Sequence, residues 1–174
     1  MNDILRSNFL ESINGAQRSI YLGSVISLLI YVLALKQEVD NFTIPFLDIE
    51  VEGTSGLLML FLFYFAIGFA LLFFVIRAEK NLIKLSDSSQ REALLQYPSF
   101  ACGGWYTQLF ACLFPVFLFF IAMKEAYGVS LMQVGMMTFV FSILYFVAAW
   151  KCVRSTLNTK LLTLRAFLNR RKKA

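Results

Sequence analysis

The chain has 174 residues, of which 59% are hydrophobic and 16% aromatic, with a formal net charge of +5. Mean hydropathy is +0.68, whereas soluble domains are nearer about 45–50% apolar, so a soluble globular class is excluded. There are 19 Phe and no His, which removes the commonest general base and the commonest metal ligand.

Residues 19–35, 53–76, 93–123 and 126–150 contain no Asp, Glu, Lys or Arg. A helix crosses a hydrocarbon core with roughly 20 apolar residues. The expected fold class is therefore an all-α integral membrane protein. It is a four-transmembrane-helix bundle with a short outer-loop strand or hairpin and cytoplasmic helical extensions. Spans are expected at 18–36, 55–77, 106–123 and 130–152, with a cytoplasmic helical tail over 153–172. Residues 1–174 make a single membrane domain, since the connections leave no room for a separate soluble one.

Ahead of the first span, Ile4, Leu5, Phe9, Leu10 and Ile13 recur near helical spacing among polar residues. This reads as a short interfacial helix, ended by Asn14-Gly15. The first span is short and is expected to lie upright. It follows Arg6 and Arg18 and precedes Lys36-Gln37-Glu38 with no small-residue cleavage site, so a retained signal-anchor is expected. Within it, Gly23 and Ser27 are four apart, a pair that lets helix backbones approach.

From Leu47 to Glu52 apolar and acidic residues alternate, the signal of a half-buried strand. Pro45 starts it and Gly53 stops it; Thr43-Ile44 offers an opposing half, giving a hairpin over 43–52. Asp48, Glu50 and Glu52 then share one face. A solvated edge is the simple reading, and a cation-attracting ring or a metal-assisted acid/base site is the sharper one.

The second span is nearly all Leu and Phe, relieved by Tyr64, Ala66, Gly68 and Ala70. Ala66 and Ala70 share a face and Gly68 lies on another. Residues 77–85 should continue this helix beyond the headgroups. Ser86-Asp87-Ser88-Ser89 breaks it, and Ser89 to Glu92 has capping-box spacing. The helix it opens, over 89–96, is held short by Pro98 and is expected to turn Ala93, Leu94 and Leu95 to the membrane. Gly103-Gly104 lacks the Lys-Ser/Thr ending of a phosphate loop; with Trp105 and Tyr106 it marks re-entry at the headgroup belt.

Pro115 sits mid-depth in the third span and frees the carbonyl of Ala111, which a neighbour must satisfy. The fourth span has no Gly or Pro after Gly135 and is expected to run straight out into the tail. There Leu157, Leu161, Leu164 and Leu168 follow heptad-like spacing, a partner-docking stripe. Arg170, Arg171, Lys172 and Lys173 follow as a lipid-binding cluster for an anionic inner leaflet, worth about 1 kcal/mol per charge. Nucleic acid is disfavoured, because no aromatic stacking platform accompanies the cluster.

Of the 16 basic residues, all but Lys36 and Lys124 fall in the segments assigned to one side. The orienting rule counts Lys and Arg, so both termini are expected in the cytoplasm and the acidic first loop outside. A bacterial inner membrane is the expected setting, since no organelle address is present.

Cys102, Cys112 and Cys152 fall at no metal-ligand spacing. They read as small apolar residues, with palmitoylation of Cys102 or Cys152 as the alternative. No ionisable group lies inside a span, which argues against a proton-coupled transporter. No catalytic, cofactor or metal site is expected. A polar seam is drawn from Ser24, Ser27, Tyr31, Tyr64, Gln108, Gln133, Thr138, Ser142 and Tyr145; Gly23, Ser27, Tyr64, Gly68 and Ser142 are its principal pore or helix-contact residues.

The function expected is a non-enzymatic multipass membrane protein that acts as a homo-oligomer or within a membrane complex. It forms a pore or perturbs the bilayer under a cytoplasmic partner's control. The alternative is an anchoring or regulatory subunit that docks a soluble partner on its cytoplasmic helices. A lipid-directed enzyme using Asp48, Glu50 and Glu52 ranks third.

Overall fold

The computed structural model describes residues 2–35, 41–44, 49–85, 88–95, 105–127 and 130–171. Their elements run α1 (Asn2–Leu35), β1 (Asn41–Ile44), β2 (Ile49–Glu52), α2 (Gly53–Lys84), α3 (Ser88–Leu95), α4 (Trp105–Tyr127) and α5 (Leu131–Arg171). Pro45, Leu47, Asp48, Cys102, Gly103, Gly104, Lys172 and Lys173 lie outside the described residues, as do 86–87 and 96.

Helices α1, α2, α4 and α5 are long and apolar enough to cross a membrane. Their outward faces carry large exposed apolar side chains, Leu62, Phe69, Phe73, Phe110, Phe117 and Val140 among them. A monomer in water does not present apolar surface on that scale.

Each long helix buries one stripe. On α2 the stripe is Phe61, Tyr64, Gly68, Leu71, Val75, Ala78 and Leu82, alternating steps of three and four. Ala66 is exposed and Ala70 half-buried, so the helix packs through the Gly68 face rather than through the alanine pair. Neighbours in the bundle are α1 with α2, α2 with α5, α5 with α4, and α4 with α1. The four helices close a ring in that order around one core.

The first helix differs from expectation. Asn14-Gly15 ends nothing, and α1 is one continuous helix of 34 residues. Its amino-terminal half does not lie apart as an interfacial segment; it stands on α2. The reason is a contact far along the chain. A Cβ on Gly15 would sit 2.7 Å from Phe74 Cε1, so the missing side chain makes room for that ring, and packing outweighs the helix penalty of glycine, about 1 kcal/mol.

This packing builds a second apolar cluster beyond the main core. Phe9 and Ile13 of α1 meet Ala78 and Leu82 of α2, with Leu85 just past the end of α2 and Leu94 of α3. Leu94 is 6% exposed; it faces this protein core, where the sequence pattern turns it to the membrane. Arg91 Nε donates to the Leu85 carbonyl at 2.7 Å, closing the end of α2 with a cation where the helix dipole favours one. Glu11–Arg77 at 3.2 Å and Glu79–Lys151 at 3.7 Å tie α1, α2 and α5 together at the same end.

Strands β1 and β2 pair antiparallel, with Asn41 opposite Glu52 and Ile44 opposite Ile49. Ser130 caps α5: its amide lies 3.3 Å and its hydroxyl 3.0 Å from Gln133 Oε1. Both groups donate to that one oxygen, so the Gln133 side chain satisfies the Ser130 amide as the fourth residue of a capping box does. From Leu131, α5 continues unbroken for 41 residues.

Candidate functional site

The centre of the ring is filled by three stacked aromatic rings. Tyr64 of α2 lies between Phe119 of α4, at 4.4 Å and 10° between planes, and Tyr145 of α5, at 4.7 Å and 18°. All three are fully buried. Phe61 and Phe141 add edge and tilted contacts around Phe119. Stacked aromatic pairs contribute about 0.5–1.5 kcal/mol beyond their burial.

The polar atoms of the stack are paired with one another. The Tyr64 hydroxyl and Ser142 Oγ share a hydrogen bond of 3.0 Å. The Tyr145 hydroxyl donates to the Tyr64 main-chain carbonyl at 3.2 Å. That carbonyl lies one turn before Gly68, and the bare backbone of Gly68 is what admits the Tyr145 ring. A Cβ there would fall 3.0 Å from Tyr145 Cε2 and 3.1 Å from Leu144 Cβ. On the far side the Tyr145 hydroxyl rests against α1 at Gly23.

The fourth helix joins through Ser27. Its hydroxyl lies 2.8 Å from the Gly23 carbonyl and 3.1 Å from the Pro115 carbonyl, its one proton shared between them. A proline leaves the carbonyl four residues earlier without its amide partner. The bond falls on the carbonyl of Pro115 itself rather than on that of Ala111.

Gly23, Ser27, Tyr64, Gly68 and Ser142 therefore stand together inside one copy of the chain, with Tyr145 as the residue that touches most of them. Ser24 and Tyr31 are half-buried; Gln108 and Thr138 are buried; Gln133 is exposed and serves the α5 cap. Ser12, Ser19 and Ser24 bond back to carbonyls four residues earlier, the usual use of serine in a helix. Leu157, Leu161, Leu164, Leu168, Arg170 and Arg171 lie on the helical backbone of α5, their side chains outside the described set.

The arrangement joins all four helices with groups that are neither ionised nor free. Cys112 and Cys152 are buried thiols, and no group of three or more His, Cys, Asp and Glu among the described residues could hold a metal ion. What sequence reasoning missed here is the central place of Tyr145 and Phe119. The signal available was that Gly23 and Gly68, on different helices, both call for a large partner. No protein-family model, curated protein or solved structure matches the chain.

Proposed function

We propose that this chain is an integral membrane protein of four spans that acts by assembly and by presenting helices at one membrane face, without catalysing a reaction. The carrying observation is how its polar groups are used. Tyr64, Ser142, Tyr145 and Ser27 bond to each other or to backbone and lock the bundle. Meanwhile the second cluster, at Phe9, Ile13, Ala78, Leu82, Leu85 and Leu94, extends the folded body beyond the main core.

The distribution of Lys and Arg supports assigning both termini, α3 and the second cluster to the cytoplasm and the β1–β2 hairpin to the outside. A bacterial inner membrane is the setting we assign on the same bias. In this reading the tail of α5 is the docking element for a soluble partner, along Leu157, Leu161, Leu164 and Leu168. Arg170, Arg171, Lys172 and Lys173 hold its end near anionic lipid. Affinity recovery from membranes tests it: removal of residues 156–174 abolishes recovery of the soluble partner, and unchanged recovery takes the tail out of the account.

A second reading, a pore, is favoured by the meeting of polar side chains from several helices at mid-depth. Since those groups are paired in the closed bundle, conduction requires either that the bundle open or that a lumen form between copies. Planar-bilayer recording of the pure protein decides: a steady conductance supports the pore, and silence in all lipid mixtures leaves the assembly reading alone.

A further inference from the structure

Gly15, Gly23, Gly68 and Gly135 lie inside helices, and three of them have a partner within the chain. Gly15 receives Phe74, and Gly23 and Gly68 receive Tyr145. Gly135 is different: a Cβ there would meet nothing within 4 Å. Glycine weakens a helix interior relative to alanine, and no contact among the described residues offsets that at Gly135.

Three residues on, and so on the same side of α5, stands Thr138. It is 5% exposed, and its buried hydroxyl makes no hydrogen bond. Both residues line an open groove of about 370 Å³ between α4 and α5, with Leu113, Val116, Phe117 and Phe120 as its other wall. The groove thus has a bare stretch of backbone and apolar walls, and the unpaired hydroxyl of one lining residue lies covered beneath its surface.

We propose that a second copy of this chain occupies the groove, the two α5 helices crossing at Gly135 and each Thr138 turning its covered hydroxyl outward about the Cα–Cβ bond to donate to a backbone carbonyl of the other copy. Small residues at a crossing let membrane helices approach closely, and hydroxyls then bond across the contact. An acyl chain would fill the apolar walls and leave the hydroxyl unpaired. A helix brings acceptors as well as bulk.

The same face also supplies what would fill the groove. Met132, Met136 and Ile143, 76%, 58% and 41% exposed, form a ridge along α5 beside the groove. A two-fold axis normal to the membrane sets the ridge of each copy against the groove of the other, the self-complementary arrangement that an isologous dimer requires. Two unbranched methionines suit an interface that must adapt its fit.

This inference rests on the assembly reading, and one experiment separates the two. The full chain is reconstituted at a series of dilutions in lipid, and its dimer fraction is measured by single-molecule photobleaching or energy transfer. Thr138→Val is expected to weaken association about threefold, and Gly135→Leu about tenfold. Gly135→Ala is expected to weaken association while raising the thermal stability of the detergent-solubilised monomer. Opposite signs for that one variant would not arise from a folding defect.

A wild-type chain that stays monomeric at all dilutions overturns the assembly reading and this interface together. A wild-type oligomer that ignores all three substitutions overturns the crossing and leaves assembly standing. A monomer that carries a tightly held lipid, released by Gly135→Leu, gives the groove to an acyl chain and also overturns the crossing.

Discussion

The hydroxyl oxygen of Tyr145 lies 2.5 Å from where a Cβ on Gly23 would stand. Helices α1 and α5 occupy opposite corners of the ring, so this contact spans its centre. The Tyr145 ring cannot retreat, because it is stacked on Tyr64 and seated on Gly68. Gly23→Ala is therefore expected to destabilise the protein by about 2 kcal/mol, within the range for overpacking a tight core. Gly68→Ala should follow at about 1 kcal/mol, since its nearest contacts are longer. Thermal unfolding in mild detergent checks both, and a rise in midpoint for Gly23→Ala would refute the packing account.

The tyrosine stack separates ring from hydroxyl. Tyr145→Phe keeps the stacking and loses the bond to the Tyr64 carbonyl, which retains its place in the α2 ladder; the expected cost is about 0.6 kcal/mol. Tyr145→Ala removes the ring that fills the centre and should cost about 3 kcal/mol or more. Equal losses for the two variants would mean that the hydrogen bond, rather than the ring, holds the bundle.

Leu94 and Arg91 are two of the points at which helix α3 is held. Leu94→Ala should free Ser88–Leu95 from the second cluster, and Arg91→Ala should unpin the end of α2. Amide hydrogen exchange is expected to quicken across α3 and the last turn of α2 in both variants, while α4 stays protected. Exchange unchanged in α3 would show that it is anchored elsewhere.

The cap on α5 offers a small, clean test. Ser130→Ala removes the hydroxyl that donates to Gln133 Oε1 and should cost about 1 kcal/mol. Gln133→Ala, which removes the acceptor of both Ser130 bonds, should cost at least as much. A loss for Ser130→Ala with none for Gln133→Ala would argue that the hydroxyl has a different partner.

The four apolar helices were legible because charge is so cleanly excluded from four runs, and no local signal competes with that. Gly23, Ser27, Tyr64, Gly68 and Ser142 could be singled out as small or polar residues in apolar helices. Which of them meet could not be read, since the contacts join different helices. Asn14-Gly15 shows the limit most clearly. Local propensity ends a helix there, and what carries α1 through is the ring of Phe74 on α2. The sequence turns Leu94 to the membrane for the same reason: the cluster it joins, with Phe9, Ile13, Ala78 and Leu82, is assembled from other helices, and no local pattern announces that meeting. Gly135 and Thr138 were visible as a small and a polar residue, yet their lack of partners emerges only once the bundle is closed.

Because α5 is one unbroken rod from Leu131 to Arg171, it couples the middle of the bundle to the tip of the tail mechanically. From Tyr145 to Arg171 the rod measures about 39 Å at about 1.5 Å per residue. Pivoting there by about 10° would swing the tip by about 7 Å, more than the pitch of a helix. Pulling on the tail would load the tyrosine stack, and loosening the stack would sweep the tail sideways.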